Sequence, residues 1–210
     1  MLKNFFTIAI RNCWRNRTNS LIHVMGLALG IATFLLILLF IQHERSYDRF
    51  NKKADRIVRV IFHGQMNGGD IREATVMPPV GAAMKHDFPE VQAATRMVNF
   101  GFHRVTFGEK TLREDAMAFV DSNFLQVFTL PLVEGDIRTA LLHPNSIVIT
   151  KAVARKFFGN EDPIGKVLQL KDDSMAMTVT GLIDKVPDNA HFHFELFGAM
   201  AGYADARAPT

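Results

Sequence analysis

Two places in the 210-residue sequence bring together residue types capable of chemistry. The first is His191-Phe192-His193, with Glu195 two residues on. On an extended strand these three alternate to one face, and two imidazoles beside a carboxylate can bind a divalent cation. No cysteine joins them, since the single Cys is Cys13, and no distal His stands at a ligand spacing. The preferred reading is a polar strand face turned toward a loop. The second place is Gly159-Asn160-Glu161-Asp162-Pro163-Ile164-Gly165-Lys166-Val167, which has the look of a phosphate-binding loop. Its glycines are separated by one residue too many, and Val167 stands where a Ser or Thr must meet magnesium. The element expected before it is also a helix, not a strand. It reads as a helix stop and a turn.

The remaining candidates are thinner. Asp172-Asp173 falls in the turn Lys171–Ser174, and no H-E-x-x-H, G-x-S-x-G or paired Cys and His occurs. Nothing sets a nucleophile beside a base, so no catalytic, cofactor-binding or metal-binding residue is assigned, and the chain is not read as an enzyme. One Cys also excludes an intramolecular disulfide framework and a four-Cys zinc site.

The elements that would position these residues come from periodicity and punctuation. Polar residues 43–54 read as a helix, and the β-branched run 56–63 as a strand. Residues 64–70 form a turn around Gly68-Gly69. Pro78-Pro79 opens a helix over VGAAMKHDF that Pro89 stops. Strands are expected over 91–99, 102–107 and 111–120, the last two joined by a Gly108-Glu109 turn. Asp121 or Ser122 is expected to cap a short helix, NFLQVF. SIVIT (146–150) reads as a buried strand, after which Thr150 caps a helix over 151–158 that Gly159 closes. Further strands are expected over 167–170, 175–183 and 192–197. Many strands, few helices and short connections predict an α+β domain, with room for two subdomains.

Charge divides the chain more sharply than structure does. The formal net charge is +3, from 24 Lys+Arg against 21 Asp+Glu. Residues 1–20 carry Lys3, Arg11, Arg15 and Arg17 and no acid; residues 21–42 carry no Asp, Glu, Lys or Arg. Residues 43–210 are therefore slightly acidic, with no basic stripe, which argues against a nucleic-acid partner.

The uncharged run LIHVMGLALGIATFLLILLFIQ would rise about 33 Å as a helix, against a hydrocarbon core of roughly 30 Å. It has no polar face and no small-x-small cleavage site, so it predicts an uncleaved transmembrane helix rather than a buried core helix or a removed signal peptide. Lys3, Arg11, Arg15 and Arg17 before it place the N-terminus in the cytoplasm and the remainder outside, in the periplasm of a Gram-negative cell. Residues 2–16 alternate apolar and polar at helical spacing, with Trp14 at one end and Cys13 on the apolar side, as suits a helix lying on the inner leaflet. Inside the span, Gly26 and Gly30 form G-x-x-x-G, and Ala28 and Ala32 repeat the spacing on a neighbouring face. Small residues four apart let another helix approach closely, so these four predict helical neighbours in the membrane. The expected organisation is a basic leader (1–20), a membrane span (21–42) and an outer domain (43–210).

Several segments in order complete the pattern: FFTIAIRNCWRNRTNSLI, GLALGIATFLLILLFI, ERSYDRFNKKADRIVRV, PPVGAAMKHDFPEV, FVDSNFLQVFTLPLVEGD, SIVITKAVARKFFGNEDPIGKVLQL and VTGLIDKVPDNAHFHFEL. Together they resemble the start of MacB-like/FtsX-like ABC transporter permeases. The resemblance implies one span, a MacB-like periplasmic core domain and further spans that this sequence lacks. It thus implies an N-terminal fragment in the bacterial inner membrane. It also implies ATP bound on a separate cytoplasmic ATPase subunit, with no cofactor on this chain. Implied partners are membrane lipid, other permease helices or a second permease copy, and a periplasmic adaptor. The implied work is ATP-driven motion of the periplasmic domain for efflux or mechanotransmission. The residues alone leave open a membrane-anchored sensor or ligand-binding module.

Overall fold

The uncharged run folds as a helix that continues beyond both its ends. In a computed structural model of the protein, helix α1 spans Arg17–Glu44. The structure describes residues 7–8, 11–12, 14–66, 68–99, 101, 103–114, 116–171 and 174–203. Lys3, Cys13 and the pair Asp172-Asp173 lie outside the described residues. Met1–Tyr47 and Asp48–Thr210 form two compact units.

The second unit is mixed α and β. Its strands are β1 (Phe62–Met66), β2 (Gly69–Glu73), β3 (Met97–Val98), β4 (His103–Phe107), β5 (Lys110–Glu114) and β6 (Met117–Val120). Then come β7 (Leu132–Glu134), β8 (Ser146–Thr150), β9 (Val167–Leu170), β10 (Met175–Ile183) and β11 (Leu196–Ala199). Among the described residues three α-helices accompany them, α2 (Val80–Asp87), α3 (Phe124–Val127) and α4 (Lys151–Phe158), with short 3-10 turns at Ala54–Arg56 and Met200–Gly202. Strands β1 and β2 form a separate hairpin. The main sheet runs β3-β6-β11-β8-β10-β9-β4-β5, with β7 paired to β10. The pairs β8/β10 and β6/β11 are parallel; the others are antiparallel.

Every residue of β6, β8 and β11 is buried, because both faces of the sheet are covered. Met117, Phe119, Ile147, Ile149 and Leu196 point into one layer, closed by Val153, Ala154, Phe157 and Phe158 of α4. Their alternates Ala118, Val120, Val148 and Phe197 point into the other, closed by Phe124 and Leu125 of α3 and by Val186, Ala190 and Phe192. Helix α4 forms where expected: Thr150 Oγ1 accepts a hydrogen bond from Val153 N at 3.3 Å, and Gly159 ends it at φ 67°. A bulge at Thr180 shifts the β10–β8 register, and its hydroxyl donates to Ala140 O at 2.6 Å. Gly135 abuts this bulge at φ 98°, where a Cβ would stand 2.5 Å from Thr180 O.

Several expected elements are displaced. No helix covers 43–54: α1 stops at Glu44, Ser46 Oγ folds back to His43 O at 2.7 Å, and Asp48 takes φ 57°. The strand expected over 56–63 pairs only from Phe62, and Gly64–Met66 belong to it rather than to a turn. The strand over 91–99 shrinks to Met97–Val98, because Arg96 N donates to the Asp121 carboxylate and Ala94 O accepts from Asn123. The strand over 111–120 is two strands: β5 hairpins with β4 at one edge of the sheet, while β6 lies toward the other edge, between β3 and β11. Asp121 and Ser122 do not cap α3; its N-cap is Asn123, with no side-chain cap bond, because the Asp121 carboxylate is engaged by Arg96. The strand over 192–197 forms instead at Leu196–Ala199.

Candidate functional site

His191, His193 and Glu195 do not share a strand face, since all three precede β11. His191 turns to Asp48 instead: its backbone N–H donates to Asp48 Oδ1 at 3.1 Å and its Nδ1 meets Oδ2. No group of three or more His, Cys, Asp or Glu side chains able to hold a metal ion occurs among the described residues. The Gly159–Val167 segment is a helix stop and turn, as its spacing predicts. Asp162 Oδ1 accepts from Ile164 N at 2.8 Å, Gly165 takes φ 79°, and Lys166 pairs with Glu161. That pairing, with the ammonium lying over the Phe107 and Phe158 rings, uses the one lysine a phosphate would need. Lys166 also holds the Glu161 carboxyl below its ordinary range.

One cleft, of about 360 Å³, is lined by Arg96, Asp121, Ser122, Leu141, Leu142, Met200 and Ala201. Its charged residues face each other. Arg96 Nε and Nη2 reach the two Asp121 oxygens at 3.0 and 2.8 Å, and Arg96 N adds a third bond at 2.7 Å. The carboxylate raises the Arg96 pKa further by hydrogen bonding and charge. A guanidinium so engaged is a strut between residue 96 and the β6–α3 corner rather than a hook for a ligand.

Helix α1 carries the other predicted residues. Gly26, Ala28, Gly30 and Ala32 are exposed along it, and a Cβ added at Gly26 or Gly30 would meet nothing within 4 Å. No residue of the helix is buried, and Leu29 and Leu36 are 71% and 67% exposed. Among the described residues it is the one helix long and apolar enough to cross a membrane. Thr33, within the apolar run, returns its hydroxyl to Leu29 O at 2.9 Å, so the side chain carries no unmet donor. Arg11, Arg15 and Arg17 are exposed at the N-terminal side; Arg17 lies over the Trp14 ring at 5.4 Å and donates to Trp14 O.

A family model, the MacB-like periplasmic core domain, matches residues 20–208. The chain belongs to that family. Two solved structures share the fold of this MacB-like chain. A domain assigned to a permease protein from Porphyromonas gingivalis aligns with a TM-score of 0.60 at 24% identity, over 70% of this chain and 63% of that one. The periplasmic region of MacB from Actinobacillus actinomycetemcomitans aligns with a TM-score of 0.52 at 17% identity, over 71% and 68%. The chain thus spans about two thirds of the length of these solved domains. No curated protein matches it. The MacB-like family is one of ABC transporter permease components, which agrees with the resemblance read from the segments above.

The residues that sequence reasoning missed in this MacB-like domain are structural ties rather than ligands. Arg96 and Asp121 stand 25 residues apart, and Asp48 and His191 stand 143 apart, so no local spacing links either pair. The only signal available was indirect: Asp48 and Asn51 are turn-forming types interrupting a presumed helix.

Proposed function

We propose that this chain supplies the first membrane helix and the periplasmic domain of an ABC transporter permease. The supporting observation is a helix apolar on every side in a chain whose residues 20–208 match the MacB-like periplasmic core domain. In this reading the N-terminus is cytoplasmic, with Lys3, Arg11, Arg15 and Arg17 holding it there, and residues 43–210 lie in the periplasm. A separate cytoplasmic ATPase binds and hydrolyses ATP, and this chain binds no cofactor. The periplasmic domain then moves, driving efflux or passing the motion to a periplasmic process. Gly26, Ala28, Gly30 and Ala32 face other permease helices or a second permease copy. Membrane lipid surrounds the rest of α1, and a periplasmic adaptor is the further partner.

The test is co-purification from solubilised inner membranes. The permease carrying this chain should bring down an ABC ATPase whose ATP hydrolysis rises in its presence. A permease that purifies without any ATPase, while its outer domain shows a ligand-induced thermal shift, would replace this reading with an anchored binding module.

A further inference from the structure

The outer domain is fastened to its own core from its first residue. Asp48 sits in the left-handed region at φ 57°, a conformation that Asp and Asn adopt far more readily than other non-glycine residues. That geometry lets every polar group of the residue find a partner. Its N–H donates to Asn189 O at 2.8 Å. Its carboxylate accepts from His191 N and meets the His191 ring. Its carbonyl accepts from Asn51 N at 3.1 Å and from Asn51 Nδ2 at 3.0 Å. One residue after Asn51's backbone turns, the loop before β7 is engaged as well: Lys52 N donates to Thr129 Oγ1 at 3.3 Å. Between these ties Phe50 packs on the second core layer. Asn51 itself is 4% exposed.

These contacts reach loops 77 and 143 residues away in sequence. Helix α1 ends at Glu44, so three residues separate it from Asp48. A slack linker of Gly and Ser would absorb displacement of the chain; this segment contains none of the former and one of the latter, Ser46, which is bonded back to His43. We propose that Asp48 is a coupling residue. It is a positioning residue that makes the start of the domain a rigid attachment, so that displacement of the chain leaving the membrane enters the core through the 189–191 loop. The inference rests on the permease reading and names the residue on which its mechanical step depends.

Two arms test it. In the first, the chain is placed in lipid nanodiscs with Cys13→Ser, and a spin label is attached at Lys53→Cys, with Glu109→Cys in the β4–β5 turn as control. The parent should give an immobilised spectrum at position 53. Asp48→Ala should convert most of it to a mobile one, while Asp48→Asn, which keeps the left-handed preference and an acceptor oxygen, should not. The control at 109 should not change. An Asp48→Ala spectrum at 53 identical to the parent's overturns the proposal. If that variant loosens position 109 too, His191→Ala decides: it must loosen 53 and leave 109 unchanged, or the proposal fails.

In the second arm, the permease with its ATPase is reconstituted in vesicles containing acceptor-labelled lipid, with a donor dye at Glu109→Cys. ATP should change the energy transfer in the parent and in Asp48→Asn, and several-fold less in Asp48→Ala, at an unchanged rate of ATP hydrolysis. A full response in Asp48→Ala overturns the coupling role and leaves the permease reading intact. A parent that ignores ATP overturns the permease reading and the coupling role with it, while the nanodisc spectra still show whether Asp48 fastens the turn.

Discussion

Gly198→Ala tests whether the double-faced core is packed as tightly as its geometry states. Gly198 lies in β11, between β6 and β8, and its backbone is ordinary extended strand. The glycine is required by space and not by φ. An added Cβ would stand 2.8 and 2.9 Å from two Phe119 ring carbons and 3.2 Å from Met177 Cε. Carbon pairs prefer about 3.5–4.0 Å, so the ring must retreat by more than half an ångström, on the order of 0.7 Å. Phe119 has little room to do so. It is 1% exposed, stacked on Tyr203 at 4.6 Å and edge-on to His103 at 6.1 Å. Overpacking of this kind costs roughly 1–3 kcal/mol. At about 2 kcal/mol a unit of this size should lose about 4–8 °C of melting temperature. Scanning calorimetry of the chain in detergent micelles reads this directly. Phe119→Leu removes the obstructing ring, so the double variant should be more stable than the sum of the single effects by about 1 kcal/mol or more. A Gly198→Ala variant that melts with the parent, or an additive cycle, refutes the reasoning.

Gly26→Leu and Gly30→Leu leave the isolated chain unaffected, because nothing stands within 4 Å of either position. Both should weaken co-purification of this helix with neighbouring permease spans, and unchanged assembly in both removes them as a packing face. A reporter fused after Asp70 should be active only outside the cytoplasm, and replacing Arg11, Arg15 and Arg17 with Glu should lower that activity; a reporter active inside overturns the orientation. Acid should destabilise the outer unit. Asp136, Glu161, Asp184 and Asp188 are each held below their ordinary pKa, chiefly by hydrogen bonds from Arg138, Lys166, Lys151 and Lys185. Groups depressed on folding stabilise fully above their unfolded values and lose that contribution as pH falls through the folded ones. The melting temperature should therefore be level near neutrality and drop below about pH 4. Because all four are exposed, added salt should blunt the ion-pair share of the drop. A melting temperature indifferent to acid would show that these pairs contribute nothing.

What the sequence made legible was what local rules control. The α1 helix follows from an uncharged run of membrane length. The buried strand at Ser146–Thr150 follows from SIVIT, and α4 from a Thr cap and a Gly stop that act within one turn. The hairpin β4–β5 follows from Gly108 at φ 57°. Where sequence reading failed, the deciding partner was distant. Residues 111–120 look like one strand, but Ala116 O accepts from Glu195 and Leu196 N, and that break sends β5 to one edge and β6 to the far side of the sheet, between β3 and β11. Asp121 has the type and position of a cap, and Arg96, 25 residues earlier, engages its carboxylate. His191 and His193 look like a ligand pair only if the strand begins at 192. The tie to Asp48 delays it to Leu196.

The same contrast between local and distant contacts divides the outer unit into parts with different mechanical character. From Lys52 to Asn99 no described residue is buried, although the stretch carries Val58, Ile61, Met77 and Phe88, all at least half exposed. From His103 onward the chain builds the sheet whose strands β6, β8 and β11 are sealed on both faces by two hydrophobic layers. Opening free energy follows burial and contact density, so the first stretch opens far more readily than the second. Asp48 stands just before the soft stretch, and its hydrogen bonds bypass it, tying the start of the domain to the 189–191 loop, where Ala190 is buried in the second layer, while Asn51 braces the Asp48 carbonyl. A displacement arriving at residue 48 therefore need not travel through the soft stretch. That arrangement gives the mechanical reading of this domain a physical basis that the Arg96–Asp121 cleft, with its charges turned on each other, does not supply.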